Sequence, residues 1–326
     1  MEITLKRQNL LKVIFATILL WVSAGMAKAE PLVSADWLAS NLNNDKLVII
    51  DLRNKLDKGS YKTFLEGHIP GSVHSDYLTA GWRVARNGIP GLLPTDAQFE
   101  ALVRPLGVSN DSQIVLVPAG VSSTDFGSSA RAYWTFKIFG HKAVSVLDGG
   151  WQGWKAAYPN QIATGVPAAP VAGTFTANFD ATGYIDTAAV EALVDKGDKA
   201  GHLLLDGRTV EQFEGAAKHD KARQAGRIPG AVNLYQDKAY NTATNKLKTK
   251  SELQSIYGAL GKGPIVSYCN TGHWAATNWF VLSEVLGQKD VYLYDGSMVE
   301  WTADPNRPLK TQSNLDKILN FFKFRG

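Results

Sequence analysis

Apolar positions along the chain come in two spacings. Short unbroken runs rich in branched or aromatic side chains recur: LVIIDLR (Leu47 to Arg53), Ile114 to Val117, HLLLDGR (His202 to Arg208) and Ile265 to Tyr268. Each suits one buried strand and is too short for a helix. Between them, Thr95 to Leu106 and Thr249 to Leu260 read as helices. A further helical pattern begins at Ala275, carried by Ala276, Phe280, Val281 and Leu282, with Gly287 placed to end it.

The pattern is duplicated. In the first half the strand ending in Asp51 and Arg53 is followed by Phe64 and then GHIPGSVH (Gly67 to His74). In the second half the strand ending in Asp206 and Arg208 is followed by Phe213 and then GRIPGAVN (Gly226 to Asn233). Each half continues through a helix, an apolar strand, a loop and a second helix to an Asp-Gly step, in VSVLDGGWQGW (Val144 to Trp154) and VYLYDGSMVEW (Val291 to Trp301). Strands alternating with helices predict an α/β fold, each half a mostly parallel sheet with helices on both faces.

Cys269 is the only cysteine, and it falls where the strand Ile265 to Tyr268 gives way to a tight loop opening a helix. The first N–H groups of a helix lack internal partners and carry partial positive charge, so a thiolate there is stabilised. Gly272 lets the loop curl so that the N–H groups from Asn270 to Ala275 face one anion. A cysteine that merely packs in a core is the competing reading.

Residues 1 to 29 have the form of a secretory signal: Lys6, Arg7 and Lys12 precede the apolar stretch Val13 to Val22, and Ala27-Lys28-Ala29 offers a cleavage site before Glu30. The expected product is a periplasmic or secreted soluble protein with no stable membrane insertion. Removing that leader leaves 30 basic residues against 29 acidic ones, so the net charge of +4 is no argument for a nucleic-acid partner. The expected divisions are a signal over 1–29, domains over 30–158 and 183–309, a linker over 159–182 rich in Ala, Gly, Thr and Pro, and a tail over 310–326 read as a short amphipathic helix packed on the body.

Segments in this order, duplicated in register and with Cys269 at the strand end, resemble the tandem rhodanese-like sulfurtransferases over nearly all of the mature chain, from about Val33 to Leu309. The resemblance implies two rhodanese-like domains, with the active loop in the cleft between them. It also implies an inactive first domain, whose loop Val117 to Arg131 contains no cysteine and whose expected role is one wall of the cleft. The implied chemistry is transfer of a sulfane sulfur through a persulfide on Cys269, from a small-molecule donor such as thiosulfate, mercaptopyruvate or polysulfide to a thiophilic acceptor, with no metal and no organic cofactor. A protein acceptor is a further possible partner.

The loop Cys269-Asn270-Thr271-Gly272-His273-Trp274 departs from the family pattern, which commonly places Arg after the cysteine for thiosulfate or Gly-Ser-Gly for mercaptopyruvate. Arg208 matches a family position facing the active loop and could hold a sulfonate or carboxylate, or else pair structurally with an acid such as Glu214. Asp206 is expected to hold the strand-end loops by hydrogen bonds. His273 could protonate a leaving group and, if charged, favour the thiolate, or point outward and do nothing. Trp274 could line the cleft or simply pack. The catalytic candidates are therefore Cys269, Arg208 and His273, and the substrate-binding candidates Asn270, Thr271, Gly272, Trp274 and Ala275.

Other chemistries fit less well. A cysteine phosphatase needs an arginine at the loop's end, where this chain has Trp274-Ala275-Ala276. A metal at Cys269 and His273 lacks further ligands at suitable spacing. A cysteine hydrolase needs a distant His with an orienting Asn or Asp, and none is identifiable. The remaining alternative is a non-catalytic sulfur carrier serving a dedicated partner.

Overall fold

The computed structural model describes residues 29–311. Nearly all of the expected leader, and the tail beyond residue 311, lie outside the described residues. Each half is built on a parallel sheet. The first orders its strands Leu32–Val33, Val144–Leu147, Gln113–Val117, Leu47–Asp51 and Ser72–His74. The second orders Val291–Leu293, Ile265–Tyr268, Leu203–Asp206 and Val232–Asn233. Tyr184 adds a parallel bridge to Leu293, the counterpart of the first half's opening strand.

Alternation along each strand explains why apolar runs were required. Ile50, Ile114, Leu116, Val144 and Val146 face one side of the first sheet, while Ile49, Val115, Val117 and Leu147 face the other. Both sides are covered, so both sets are apolar. The helices Asp96–Val103 and Lys250–Tyr257 begin at capping boxes, in which the Thr95 and Thr249 hydroxyls accept from the backbone of Gln98 and Glu252, and those side chains return the bond.

The domains share one core. The helix Ser123–Ile138 is buried on almost every face, between its own sheet and the helix His273–Trp279 of the second domain. A Cβ added at Gly127 would sit 3.1 Å from His273 Nε2, so glycine sets how closely the helices approach. Phe280 meets Phe126 and Tyr133 edge-on across the boundary, at ring distances of 5.6 and 4.9 Å. The segment 159–182 is no loose tether: Gly173 and Phe175 donate to Arg104 and Val108, and the Phe175 ring is fully buried.

A ribbon of Val84–Arg86 with Ile89–Leu92 leaves the first domain and lies against the second. Asn87 and Gly88 both have positive φ, as the tight turn of such a hairpin requires.

Candidate active site

Cys269 follows the strand Ile265–Tyr268, at the carboxyl edge of a parallel sheet where ligand sites gather. Its carbonyl and that of Asn270 accept from Met298 and Val299, stitching the loop to the helix Ser297–Trp301. Ser297 completes the anchorage: its hydroxyl accepts from the N–H groups of Cys269 (3.0 Å) and Gly272 (3.1 Å) and donates to the carbonyl of Tyr294. Ser297 holds φ at +50°, an uncommon conformation for a residue with a side chain, which the surrounding bonds maintain.

Of the expected N–H cradle, the Gly272 group is therefore occupied by Ser297. Those of Asn270, Thr271, His273, Trp274 and Ala275 have no backbone or side-chain acceptor among the described residues. Gly272 is in the left-handed region at φ +70°, and an added Cβ there would lie 2.7 Å from the Asp295 carbonyl oxygen and against the Arg131 guanidinium. Only glycine fits.

Cys269, Asn270, Thr271, His273 and Trp274 line one cleft of about 230 Å³ between the domains, closed on the other side by Leu56, Leu78, Arg83 and Thr124. A larger cavity of about 320 Å³ belongs to the first domain and contains no group able to act as a thiol nucleophile. Gly272 and Ala275 lie beneath the cleft surface, and Ala275 offers only its N–H.

Two expected roles change. Arg208 is buried and faces away from the cleft: its Nε and Nη2 bind Asp206, Nη2 at 2.6 Å, and Nη2 also donates to the Gly226 carbonyl. Its partner is Asp206, two residues earlier, rather than Glu214. The first domain repeats the arrangement with Arg53, Asp51 and the Gly67 carbonyl, which makes it part of the scaffold.

His273 is no acid. Its Nε2 donates to the Thr124 carbonyl at 2.9 Å, which leaves Nδ1 to accept from the Tyr77 hydroxyl, also at 2.9 Å. Burial, reinforced by Arg83, pushes its pKa down to about 3, so the ring is neutral at ordinary pH. Trp274 fills both suggested roles, lining the cleft while its Nε1 donates to Thr124 Oγ1 and its ring packs edge-on to Tyr235.

The cations missing from the loop come from the first domain. Arg83, at the foot of the ribbon, reaches Thr271 Oγ1 at 3.5 Å and stacks over Tyr77. Arg131 is fully buried under Gly272, with Nη2 3.2 Å from both Asp295 Oδ2 and the Gly91 carbonyl. Burial lowers the pKa of Arg131 and Asp295 opposes that shift. The Asn87-Gly88 turn was the one available signal for the ribbon, and nothing in the sequence pattern told where its foot would land.

The first domain's own strand-to-helix loop shows what this geometry accepts. Asp125 folds back so that its carboxylate accepts from the N–H groups of Ala119, Gly120 and Val121 at 2.8, 2.6 and 3.1 Å. Burial pushes that carboxyl up to about 7, against the pull of these bonds. The first-domain loop is thus an anion cradle filled by its own carboxylate, whereas the loop of Cys269 keeps the N–H groups of Asn270, Thr271, His273, Trp274 and Ala275 open.

The description "Rhodanese-like domain" matches residues 34–157 and again 186–304. The chain is 30% identical over 300 residues to a thiosulfate sulfurtransferase of Corynebacterium glutamicum, covering 88% of this chain and 93% of the relative. It is 32% identical over 290 residues to the sulfur carrier protein TtuD of Thermus thermophilus, covering 85% and 95%. Among solved structures it is similar to the 3-mercaptopyruvate sulfotransferase SseA of Escherichia coli, with TM-score 0.68 and 28% identity over 82% of this chain and 99% of that one. Two matched domains, related sequences over nearly the full described length and a strand-end cysteine in the interdomain cleft converge: the chain belongs to the rhodanese-like family and is a tandem-domain sulfurtransferase.

Proposed function

We propose that this sulfurtransferase is exported and works through a persulfide on Cys269. The Cys269 thiolate attacks the outer sulfur of a sulfane donor; the Cys269 S–S bond forms as the donor's bond to that sulfur breaks, and the donor remnant leaves with the bonding pair. A thiophilic acceptor then removes the outer sulfur and regenerates the thiolate. With cyanide the product is thiocyanate, and no external oxidant or reductant is needed.

The observation that carries this reading is the open cradle beside Cys269 in a cleft that contains Arg83, set against the carboxylate-filled cradle of the other domain. The free N–H groups stabilise the anionic persulfide as an oxyanion hole stabilises oxygen. The leader expected over residues 1–29 supports export, and processing before Glu30 is checked by intact mass of the secreted or periplasmic protein.

The test is intact mass after exposure to thiosulfate, mercaptopyruvate or polysulfide, followed by cyanide. The expected result is a gain of one sulfur that cyanide removes, absent in Cys269→Ser, with the variant's melting temperature little changed. Sulfur uptake by Cys269→Ser would defeat the assignment. A second reading, a carrier that hands sulfur to a protein partner, is favoured by the relative named as a sulfur carrier and by the near-complete burial of Cys269. Slow turnover with cyanide beside fast release to a protein acceptor would select it.

A further inference from the structure

Each half carries the same groove, between the turn that follows its threonine-capped helix and the end of the helix that leaves its strand-end loop. In the first half the turn Arg104–Leu106 ends at Gly107, and the helix Ser123–Ile138 ends at Phe139-Gly140. In the second the turn Gly258–Leu260 ends at Gly261, and the active helix, prolonged as the π-helical turn Phe280–Val285, ends at Leu286-Gly287. The four glycines share positive φ, +87° and +82° against +77° and +72°. The first groove is filled by the chain that leaves its own domain. Phe175 is fully buried there against Phe99 and His141, and Arg104 Nε donates to its carbonyl. A Cβ added at Gly107 would lie 3.2 Å from the Pro170 side chain, and one at Gly140 would lie 2.8 Å from the Asn178 carbonyl oxygen. Added at Gly261 or Gly287, a Cβ meets nothing within 4 Å among the described residues. A cavity of about 380 Å³ lies there instead, lined in part by Tyr257, Gly261, Lys262, Leu286, Gly287 and Lys289.

We infer that the chain's own segment 320–324 fills the second groove in extended form, with the Phe322 ring as its anchor. The exit is the same in both halves: His68 pairs antiparallel with Ala163, and Arg227 with Lys310. Phe175 stands twelve residues after Ala163, and Phe322 twelve after Lys310, so the chain leaving the second domain has the length to reach its groove. Tyr257 and Leu286 offer the ring apolar surface, and burial of that ring drives the docking. Lys262 and Lys289 at the groove and Lys323 in the segment are all cations, so no ion pair holds the contact and added salt should not loosen it. Asn320 stands where the first half has Gly173, at which a Cβ would run into the Val108 backbone. The strap therefore passes Lys262 at a greater distance, and the ring carries the attachment. Docked in this way, it pins the far end of the helix that opens beside Cys269.

Hydrogen exchange of the intact chain, read by mass on its peptides, tests this. Amides of 320–324 should exchange at least tenfold more slowly than in a free peptide of residues 312–326, at any protein concentration, and Leu286→Asp should abolish that protection. Phe322→Ala should lower the melting temperature by about 3–6 °C, and Phe321→Ala and Phe324→Ala by less than half as much. Leu286→Ala should cost less in the Phe322→Ala background than alone, because the two side chains touch. Exchange at the free-peptide rate, protection that survives Leu286→Asp, or additive losses at Leu286 and Phe322 would overturn the inference. So would protection that grows with protein concentration, which would give the groove to a second copy of the chain. The exchange of the unaltered protein and the alanine cycle decide the matter even where Leu286→Asp fails to fold.

Discussion

A histidine whose two ring nitrogens both have partners from the opposite domain is held in one tautomer and kept neutral. His273 is in this position, with a folded pKa of about 3 against an ordinary value of 6.5. The unfolded chain therefore binds a proton below pH 6.5 that the folded chain refuses until about pH 3, and stability contributed at this site falls as pH falls through 6.5. Relative to His273→Gln, the wild type should lose about 1.4 kcal/mol of unfolding free energy between pH 7.5 and 5.5. Urea denaturation of both proteins across that range checks this, and a constant difference would mean that His273 is solvated and titrates normally. Four-residue spacing from Cys269 singles out this side chain, and it lines the same cleft, but its chemistry is set by Tyr77 and Thr124, nearly two hundred and one hundred and fifty positions earlier in the chain. Arg208 carried a better warning in the sequence itself. The first half repeats it as Arg53 after the same aspartate, in a domain without the cysteine, and a residue kept by both halves serves what both halves share.

At the scale of elements, the repeat was legible because its signals are local. Strand runs, the threonine-led capping boxes and the glycine after the active helix all report spacing and turn chemistry within a few residues. The anchorage of the loop was not legible, since it depends on a serine that the pattern places only after an Asp-Gly step. Ser297 and its first-domain counterpart Gly150 both hold positive φ, +50° and +56°. Gly150 carries no hydroxyl, and there the loop's N–H groups are taken up by Asp125. Ser297→Ala should leave the N–H groups of Cys269 and Gly272 without their acceptor and cost about 2–3 kcal/mol. Ser297→Gly loses the same acceptor but relieves the left-handed strain, so it should be the more stable of the two by roughly 1 kcal/mol. Both should slow sulfur uptake by Cys269 in stopped-time mass measurements. Equal stability of the two variants would show that the backbone here is unstrained.

Across the whole molecule, the surface between the two domains is core, and this predicts that they fold as one unit. Phe126, Tyr133, Trp279 and Phe280 are shared by both halves, and the buried pair of Arg131 with Asp295 crosses the same boundary. Exposing four such aromatic side chains, at about 150 Å² each and roughly 25 cal/mol per Å², costs about 15 kcal/mol. That matches the total stability of an ordinary domain, about 5–15 kcal/mol. The first half is therefore more than a wall of the cleft. It supplies Arg83, fixes His273 and covers the back of the helix His273–Trp279, none of which the second half can replace. The full chain should melt in a single calorimetric transition. A fragment of residues 183–311, although it contains Cys269 and every loop N–H, should fail to give a soluble monomer with a cooperative melt. Two resolved transitions, or a fragment that takes up sulfur at the rate of the intact chain, would mean that the halves are independent modules and that the cross-domain contacts to the loop are dispensable.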